Sequence, residues 1–243
     1  YGDLDIDATN LLAFIDEARR VSGERITVTH IAGKAVACAL GQHPDLNVRM
    51  YRVHFVQRET VDVFFIVSAD AGAELSGVKV ERADTKSVVE IARELGGRAT
   101  TIRTGDDPEF GKTKSMLART PLWLLGPMLR LAAWLTADRD LDLPRFGLRR
   151  QSFGSAMITS VGMFGIQRGY APLSPYYRIP FLILVGEVTR KPVVVDEERI
   201  EARPILTITA TMDHRYVDGF HAARLARSVR EYLEDPKRFE PPL

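Results

Sequence analysis

The 243-residue chain has a single cysteine and almost no excess of charge of either sign. One cysteine, Cys38, excludes an intramolecular disulfide framework and suits a reducing compartment. The 33 lysines and arginines nearly balance the 32 aspartates and glutamates, and they are scattered rather than gathered in one stripe. Because nucleic-acid binding usually needs a concentrated basic surface, we predict no nucleic-acid partner.

Several chemical motifs are also absent. The sequence has no Gly-x-Ser-x-Gly nucleophile elbow and no glycine-rich phosphate loop. The five histidines show no metal-ligand spacing with cysteines or carboxylates, so we predict no bound metal. Cys38 lies in an alanine-rich helical pattern, where a cysteine usually packs rather than reacts. These absences weigh against serine hydrolases, phosphate-loop enzymes and metalloenzymes.

No apolar run is long and unbroken enough to be a membrane-spanning helix. The most apolar segment, residues 121–135, contains Gly126-Pro127 and Arg130, and it is shorter than the roughly 20 residues that a span needs. It predicts a helix buried in the fold or in a subunit interface, with contact at a membrane surface as the weaker alternative.

Hydrophobic residues make up 45% of the chain, which is enough for a full core, and the patterns alternate between helix and strand. Helices are predicted over residues 8–22, 29–41 (capped by Thr29) and 87–95, which a Ser87–Glu90 capping box begins and Gly96-Gly97 interrupts. A last helix is predicted over residues 219–234, with an inward stripe of Phe220, Ala223, Ala226, Val229 and Leu233. Strands are predicted over residues 51–57, 61–68, 78–80, 156–160, 181–188, 193–195, 200–203 and 205–212, with Arg58-Glu59-Thr60 as a polar connector. This order predicts an α+β, sandwich-like domain.

The junction between the last strand and the last helix reads Asp213-His214-Arg215-Tyr216-Val217-Asp218-Gly219. A neutral imidazole can take a proton near pH 7, and a junction exposes it while both ends stay rigid. Taken alone, a histidine followed by an acid is equally well explained as a surface ion pair or a helix-start device. Asp218 is also suited to cap the last helix.

This stretch resembles the Asp-His-Arg-x-x-Asp-Gly signature of the 2-oxo acid dehydrogenase acyltransferase family, whose catalytic domain shares its fold with chloramphenicol acetyltransferase. Residues 156–165, Ala-Met-Ile-Thr-Ser-Val-Gly-Met-Phe-Gly, resemble the family's Phe-Thr-Ile-Ser-Asn-Leu-Gly-Met-Phe-Gly. Lys34-Ala35-Val36-Ala37, followed by Pro44-Asp45-Leu46-Asn47, resembles its Lys-Ala-x-Ala…Pro-x-x-Asn helix. The resemblance implies a chloramphenicol acetyltransferase-like sandwich, with a mixed sheet and flanking helices, that forms trimers.

The implied chemistry is acyl transfer between the thiols of dihydrolipoamide and coenzyme A. His214 would take the proton from the attacking thiol and return it to the leaving thiolate. Thr159 matches the family's catalytic serine or threonine and would stabilise the oxyanion. Ser160 would serve instead if the alignment is shifted by one residue, since neighbours in a strand point to opposite faces.

The resemblance gives the residues around these groups supporting roles. Asp218 would orient the site or hold the loop, Asp213 and Arg215 would hold the junction through partners elsewhere, and Gly219 would permit close backbone approach. Gly162 belongs to the second motif and is expected near the substrate. In this family the histidine faces the neighbouring subunit's hydroxyl, which implies a homotrimer, and trimers can build a larger cage.

The chain also departs from the family pattern. No lipoyl domain or peripheral-subunit-binding segment is visible, so these either precede Tyr1 or lie on another protein. The segment 105–153 is unusually long, which predicts a helical insertion within one catalytic domain, residues 1–243. Residues 175–180, Pro-Tyr-Tyr-Arg-Ile-Pro, replace the family's Asn-Pro-Pro pattern and leave the acyl group and acceptor open.

We therefore hypothesise a dihydrolipoamide acyltransferase that uses coenzyme A and works with a lipoyl-bearing protein and dehydrogenase components. Its location would be the bacterial cytoplasm or, in a eukaryote, the mitochondrial matrix. One alternative is a chloramphenicol acetyltransferase-type enzyme with a small hydroxyl acceptor. Another is a scaffold subunit without catalysis, against which the presence of His214, Thr159 and Asp218 argues.

Overall fold

The fold is a mixed sheet with helices on one face, in a computed structural model that describes residues 1–51, 54–69, 74–103, 120–143, 148, 150–174, 177–196 and 198–243. The strands are β1 (Gly2–Asp7), β2 (Val48–Tyr51), β3 (His54–Gln57), β4 (Val63–Ala69), β5 (Glu74–Val80), β6 (Ala156–Ser160), β7 (Phe181–Asp196) and β8 (Arg199–Met212). The helices are α1 (Thr9–Ser22), α2 (Val28–Gln42), α3 (Val88–Arg103), α4 (Leu122–Ala133) and α5 (Gly219–Glu234). A π-helical turn, Trp134–Asp138, follows α4.

Six of these strands form one sheet in the order β1-β8-β7-β6-β4-β5. Strand β6 runs parallel to β4 and to β7, whereas the other neighbours pair antiparallel. Strands β2 and β3 form a separate antiparallel hairpin. The predicted α+β architecture with a mixed sheet is confirmed.

The two faces of the sheet have different coverings. Ala156 and Ile158 point toward the helices and join the main core, whereas Met157 between them joins a smaller cluster with Leu182 on the opposite face. Helix α2 lies tightly on the sheet, because a Cβ at Gly33 would come within 2.2 Å of the Phe65 ring. The loops before β6 and β7 cover part of the second face.

Helix ends follow local capping chemistry. The predicted Ser87–Glu90 capping box is confirmed, since the Ser87 N–H donates to Glu90 Oε2 at 2.7 Å. The predicted Thr29 cap is wrong. Thr27 precedes the first residue of α2, and its N–H donates to Nδ1 of His30 at 3.3 Å.

Helix α3 also continues through Gly96 and Gly97, where a break was predicted. A glycine inside a helix costs only about 1 kcal/mol, and the buried Ile91 and Leu95 pack this helix onto the core. Packing therefore outweighs the local preference of the two glycines.

Several strand predictions need correction. Residues 51–57 were predicted as one strand, but β2 and β3 form a hairpin whose residues 52–53 lie outside the described part. Arg58, predicted as part of a polar connector, is only 8% exposed. Strands 181–188 and 193–195 are one long strand, as are 200–203 and 205–212, because residues 189–192 pair with residues 202–205 without interruption. Strand β1 was not predicted. It is a strand because it pairs with β8.

Two helices present unexpected faces. The inward side of α5 comprises Leu225, Val229, Tyr232 and Leu233, whereas Phe220 is 68% exposed. On α4, Trp123 is 77% and Leu131 56% exposed, so this helix is not buried within the single chain, and its burial in a subunit interface stays a prediction. Among the described helices, none combines the length and apolarity that a membrane span requires.

Candidate active site

The turn that carries His214 is anchored on both sides. The Asp213 N–H donates to the Pro180 carbonyl at 3.0 Å, and the N–H groups of Tyr216 and Val217 donate to the Asp213 carbonyl at 2.9 and 3.3 Å. His214 itself is exposed. The result is an accessible imidazole on a backbone that is fixed by hydrogen bonds.

Asp213 and Arg215 hold each other rather than distant partners, contrary to the sequence prediction. Arg215 donates through Nε to Oδ1 at 2.9 Å and through Nη2 to Oδ2 at 2.5 Å, and its backbone N–H reaches Oδ1 at 3.0 Å. The hydrogen bonds from the Arg215 side chain lower the pKa of Asp213. The pair therefore stays ionised and stiffens the turn next to His214.

Tyr216 fastens the turn to the β2–β3 hairpin. Its phenol oxygen accepts the Met50 N–H at 3.2 Å, and its ring centroid lies 5.7 Å from that of Phe55. Burial raises the pKa of Tyr216, so the hydroxyl is neutral at pH 7. This role of Tyr216 was not predicted, because no local pattern identifies a partner 166 positions away in the sequence.

Asp218 caps helix α5. Its Oδ1 accepts the His221 N–H at 3.0 Å and lies 2.7 Å from Nδ1 of the same residue. The backbone hydrogen bond from His221 keeps the pKa of Asp218 low. Asp218 thus contacts both the backbone and the imidazole of His221. Gly219 begins the helix, and a Cβ added there would meet no atom within 4 Å, so close backbone approach is not what this glycine provides within one chain.

Thr159 and Ser160, both partly buried, end strand β6 and point to opposite faces of the sheet. Alternation from Met157 places Thr159 on the face that the helices leave uncovered. Gly162 follows, and a Cβ there would lie 2.6 Å from the carbonyl oxygen of Gly186. Its lack of a side chain therefore lets the loop after β6 pack closely on β7.

His214 and Thr159 lie far apart within one chain. Thr159 pairs with Leu184, which pairs with Thr209, three positions before the end of β8 at Met212. At about 3.3 Å per residue and about 4.8 Å per strand, Thr159 and Met212 are roughly 14 Å apart, and His214 lies beyond Met212. One protomer therefore cannot bring the imidazole and the hydroxyl to a single reacting atom.

Other candidate chemistry is weak in the described residues. Burial raises the pKa of the Cys38 thiol, which opposes a nucleophilic role. Within the residues that the structure describes, no three histidine, cysteine, aspartate or glutamate side chains are grouped as metal ligands would be. The exposed imidazole can act as a base only on a molecule that approaches from outside the chain.

Comparison with known families gives one clear match. The model of the 2-oxoacid dehydrogenases acyltransferase (catalytic domain) matches residues 2–107 and 148–240. The lipoamide acyltransferase component of the branched-chain alpha-keto acid dehydrogenase complex of Bacillus subtilis is 23% identical over 95% of this chain and 45% of its own. The dihydrolipoyllysine-residue acetyltransferase component of the Zymomonas mobilis pyruvate dehydrogenase complex is 26% identical over 96% and 43%. The chain spans less than half the length of these relatives.

Solved structures establish the fold. An Azotobacter vinelandii dihydrolipoamide acetyltransferase, investigated for the role of a serine, a histidine and an asparagine in its catalytic mechanism, gives a TM-score of 0.72 at 20% identity and covers 98% of this chain and 82% of that one. A chloramphenicol acetyltransferase gives 0.51 at 11% identity, with coverage of 95% and 86%. The predicted chloramphenicol acetyltransferase-like fold is confirmed.

Proposed function

This chain belongs to the 2-oxoacid dehydrogenase acyltransferase family, and on that premise we propose that it moves an acyl group between the thiols of dihydrolipoamide and coenzyme A. The observation that carries the proposal is the exposed His214 on its anchored turn, within the family motif. A lipoyl-bearing protein and dehydrogenase components are the proposed partners, because the relatives are named as components of such complexes.

The proposed reaction needs one base and one oxyanion donor. A thiol with a pKa near 8.5 is only a few per cent ionised at neutral pH, so His214 would accept its proton as the sulfur attacks the thioester carbonyl. A carbon–sulfur bond forms, and the hydroxyl of Thr159 would donate to the resulting oxyanion. The bond to the leaving sulfur then breaks, and the imidazolium returns the proton to that thiolate.

We further propose that a second subunit completes the site. The separation of roughly 14 Å between Thr159 and the end of β8 supports this arrangement, since His214 needs a hydroxyl from another copy. A homotrimer is the proposed assembly, and it predicts a particle near three times the 27.2 kDa chain mass by light scattering. A stable, active monomer would contradict it.

Asp218 is proposed as a positioning residue rather than a proton carrier. In the Azotobacter vinelandii enzyme the named histidine and asparagine are four positions apart, which is also the separation of His214 and Asp218. The carboxylate caps α5 and so fixes the far end of the turn. We also propose that the catalytic domain is single and that an insertion, predicted at 105–153, interrupts it, in line with the unmatched residues 108–147.

The direct test measures acyl transfer from acyl-coenzyme A to dihydrolipoamide by purified protein. His214→Ala is expected to lower kcat by about 10²–10⁴, and Thr159→Val by about 10²–10³. His54→Ala, which removes an exposed histidine from β3, is the matched control and should keep wild-type activity. Absence of thioester product from the wild type would refute the proposal, and transfer to a small hydroxyl acceptor instead would favour a chloramphenicol acetyltransferase-type enzyme.

A further inference from the structure

Arg58, which follows β3, is a buried cation bonded only to neutral groups. Its Nη1 donates to Oε1 of Gln151, and its Nη2 donates to the Arg178 carbonyl at 3.4 Å. Its Nε is buried and has no hydrogen-bond partner in the described chain. Burial lowers the pKa of Arg58 to about 10, so the guanidinium is still charged at neutral pH. A buried charge without a counter-charge in direct contact is costly, and such charges are normally paired.

Arg58 lines a cavity of about 30 Å³ together with Arg49 and Arg178, and no carboxylate is among the described residues that line it. The Nε of Arg178 is likewise buried without a partner. The nearby acids face other arginines, since Asp140 pairs with Arg49 at 3.4 Å and Asp138 with Arg178 at 3.3 Å. Asp62, the other acid that raises the pKa of Arg58, pairs with Lys79 at 3.5 Å, so among the described residues no carboxylate is in ion-pair contact with Arg58 itself.

The backbone around this cavity is strained. Gln151 and Arg178, which supply both acceptors for Arg58, have φ angles of 47° and 52°. Non-glycine residues adopt this left-handed region at a cost in free energy, and they persist where the surrounding structure holds them, often at binding sites. Each strained residue fixes one acceptor of the guanidinium. The guanidinium is thus held in one orientation, in which its Nε has no hydrogen-bond partner among the described residues.

We propose that this Arg58 cavity is a binding site for a small monoanion of the size of a halide ion or a carboxylate group. A volume of about 30 Å³ admits one or two water-sized species, since one needs roughly 10–15 Å³, and it excludes a phosphate or sulfate. Thr136 also lines the cavity and lies in residues 108–147, which the family model leaves unmatched. The anion therefore ties this segment to the rest of the fold, and the site does not depend on the proposed acyl transfer.

Thermal unfolding of the full chain tests the site. Sodium bromide and sodium formate are titrated at constant ionic strength, made up with sodium gluconate, whose anion is too large for the cavity. The Tm is expected to rise and saturate with either small anion, because a ligand that binds only the folded state stabilises it. Arg58→Met should abolish the rise, whereas Arg20→Met, an exposed arginine of α1, should retain it.

Diffraction from bromide-soaked crystals of the wild type provides a readout that does not depend on the variant folding. Anomalous density beside Arg58 Nε is expected. Saturation with bromide alone would identify a halide site, and saturation with formate alone a carboxylate site. The proposal is overturned if sulfate acts as bromide does, if a folded Arg58→Met responds like the wild type, or if the cavity holds only water or takes bromide only at crystal concentration.

Discussion

The residues that the family model matches, 2–107 and 148–240, form what we call the body of the fold. The body and the segment 120–143 differ in where their apolar side chains lie. In the body, large side chains such as Phe65 and Leu206 are almost wholly buried, and they join one core between sheet and helices. In helix α4 and at the start of the π-helical turn that follows it, Trp123, Leu124, Leu131 and Trp134 recur at helical spacing but lie on the outside. Apolar side chains are therefore buried in the body and exposed on α4, because burial depends on whether another element packs against the face that carries them.

The segment is attached to the body by polar links. Asp138 pairs with Arg178 at 3.3 Å, Asp140 pairs with Arg49 at 3.4 Å, and the Gln151 N–H donates to the Thr136 carbonyl at 3.2 Å. Links of this kind contribute less than apolar burial, since exposed and partly exposed ion pairs are worth about 0–1 kcal/mol. Stability should therefore reside in the body, and the following changes test that difference.

The largest contrast is expected between two leucines. Leu206 of β8 is 0% exposed, so Leu206→Ala should lower the free energy of unfolding by about 2–5 kcal/mol through lost burial and a cavity. Leu131→Ala on α4 should change it by no more than about 0.5 kcal/mol. Urea unfolding of the two variants measures both. Similar losses would show that α4 is buried in solution, as a subunit interface would make it.

Sequence reasoning predicted the parts of the fold that local chemistry determines. The Ser87–Glu90 box fixes the start of α3, and the alternation before His214 fixes β8, because capping and strand periodicity are local. Strand β1 escaped prediction since its partner is about 200 residues away in the sequence. The exposure of the apolar face of α4 was not predicted, since an apolar run does not reveal whether another element packs against the helix.

The sequence predicted which residues belong to the candidate site, but not how they are arranged in space. The motif gave His214 and Thr159, but only the strand register shows their separation within one chain. Asp218 could have oriented the site, held the loop or capped the helix, and the structure gives it the N–H of His221. The burial of Arg58 could not be predicted, because a polar residue between two strands usually faces water.

The second contrast concerns a partly buried histidine of the body, His30. Burial lowers the pKa of His30 to about 4, below the usual 6.5, and its Nδ1 accepts the Thr27 N–H. Folding thus favours the neutral form of His30. Its contribution to the free energy of unfolding is fully present above pH 6.5, and it falls by up to about 3 kcal/mol as the pH drops toward 4. Chemical unfolding across this range measures the loss.

His30→Gln should flatten that dependence, because glutamine retains a capping acceptor without titrating between pH 4 and 6.5. The exposed His54 of β3 is the matched control, and His54→Gln should leave the slope intact. An unchanged slope in His30→Gln would assign the acid sensitivity to other groups.

A third contrast uses two glycines. A Cβ at Gly186 would lie 2.1 Å from the Gln167 carbonyl oxygen, so Gly186→Ala should destabilise the body by about 1–3 kcal/mol through overpacking. Gly126 of α4 has nothing within 4 Å, and Gly126→Ala should alter stability by less than about 1 kcal/mol. Thermal unfolding distinguishes them, and comparable losses would mean that α4 is packed as tightly as the sheet.

The smallest effect is expected at the link between the segment and the body. Asp138→Asn removes the partner of Arg178, a pair with partly exposed side chains, and should cost less than about 1 kcal/mol. Because the body does not depend on this link, the change should appear as faster amide hydrogen exchange within residues 122–138 and leave β7 and β8 protected. Asp16→Asn, which breaks the surface pair with Arg19 on α1, is the control and should leave exchange in α4 unaltered. If Asp138→Asn instead lowered protection throughout the sheet, the segment would be part of the cooperative core, and its division from the body would be wrong.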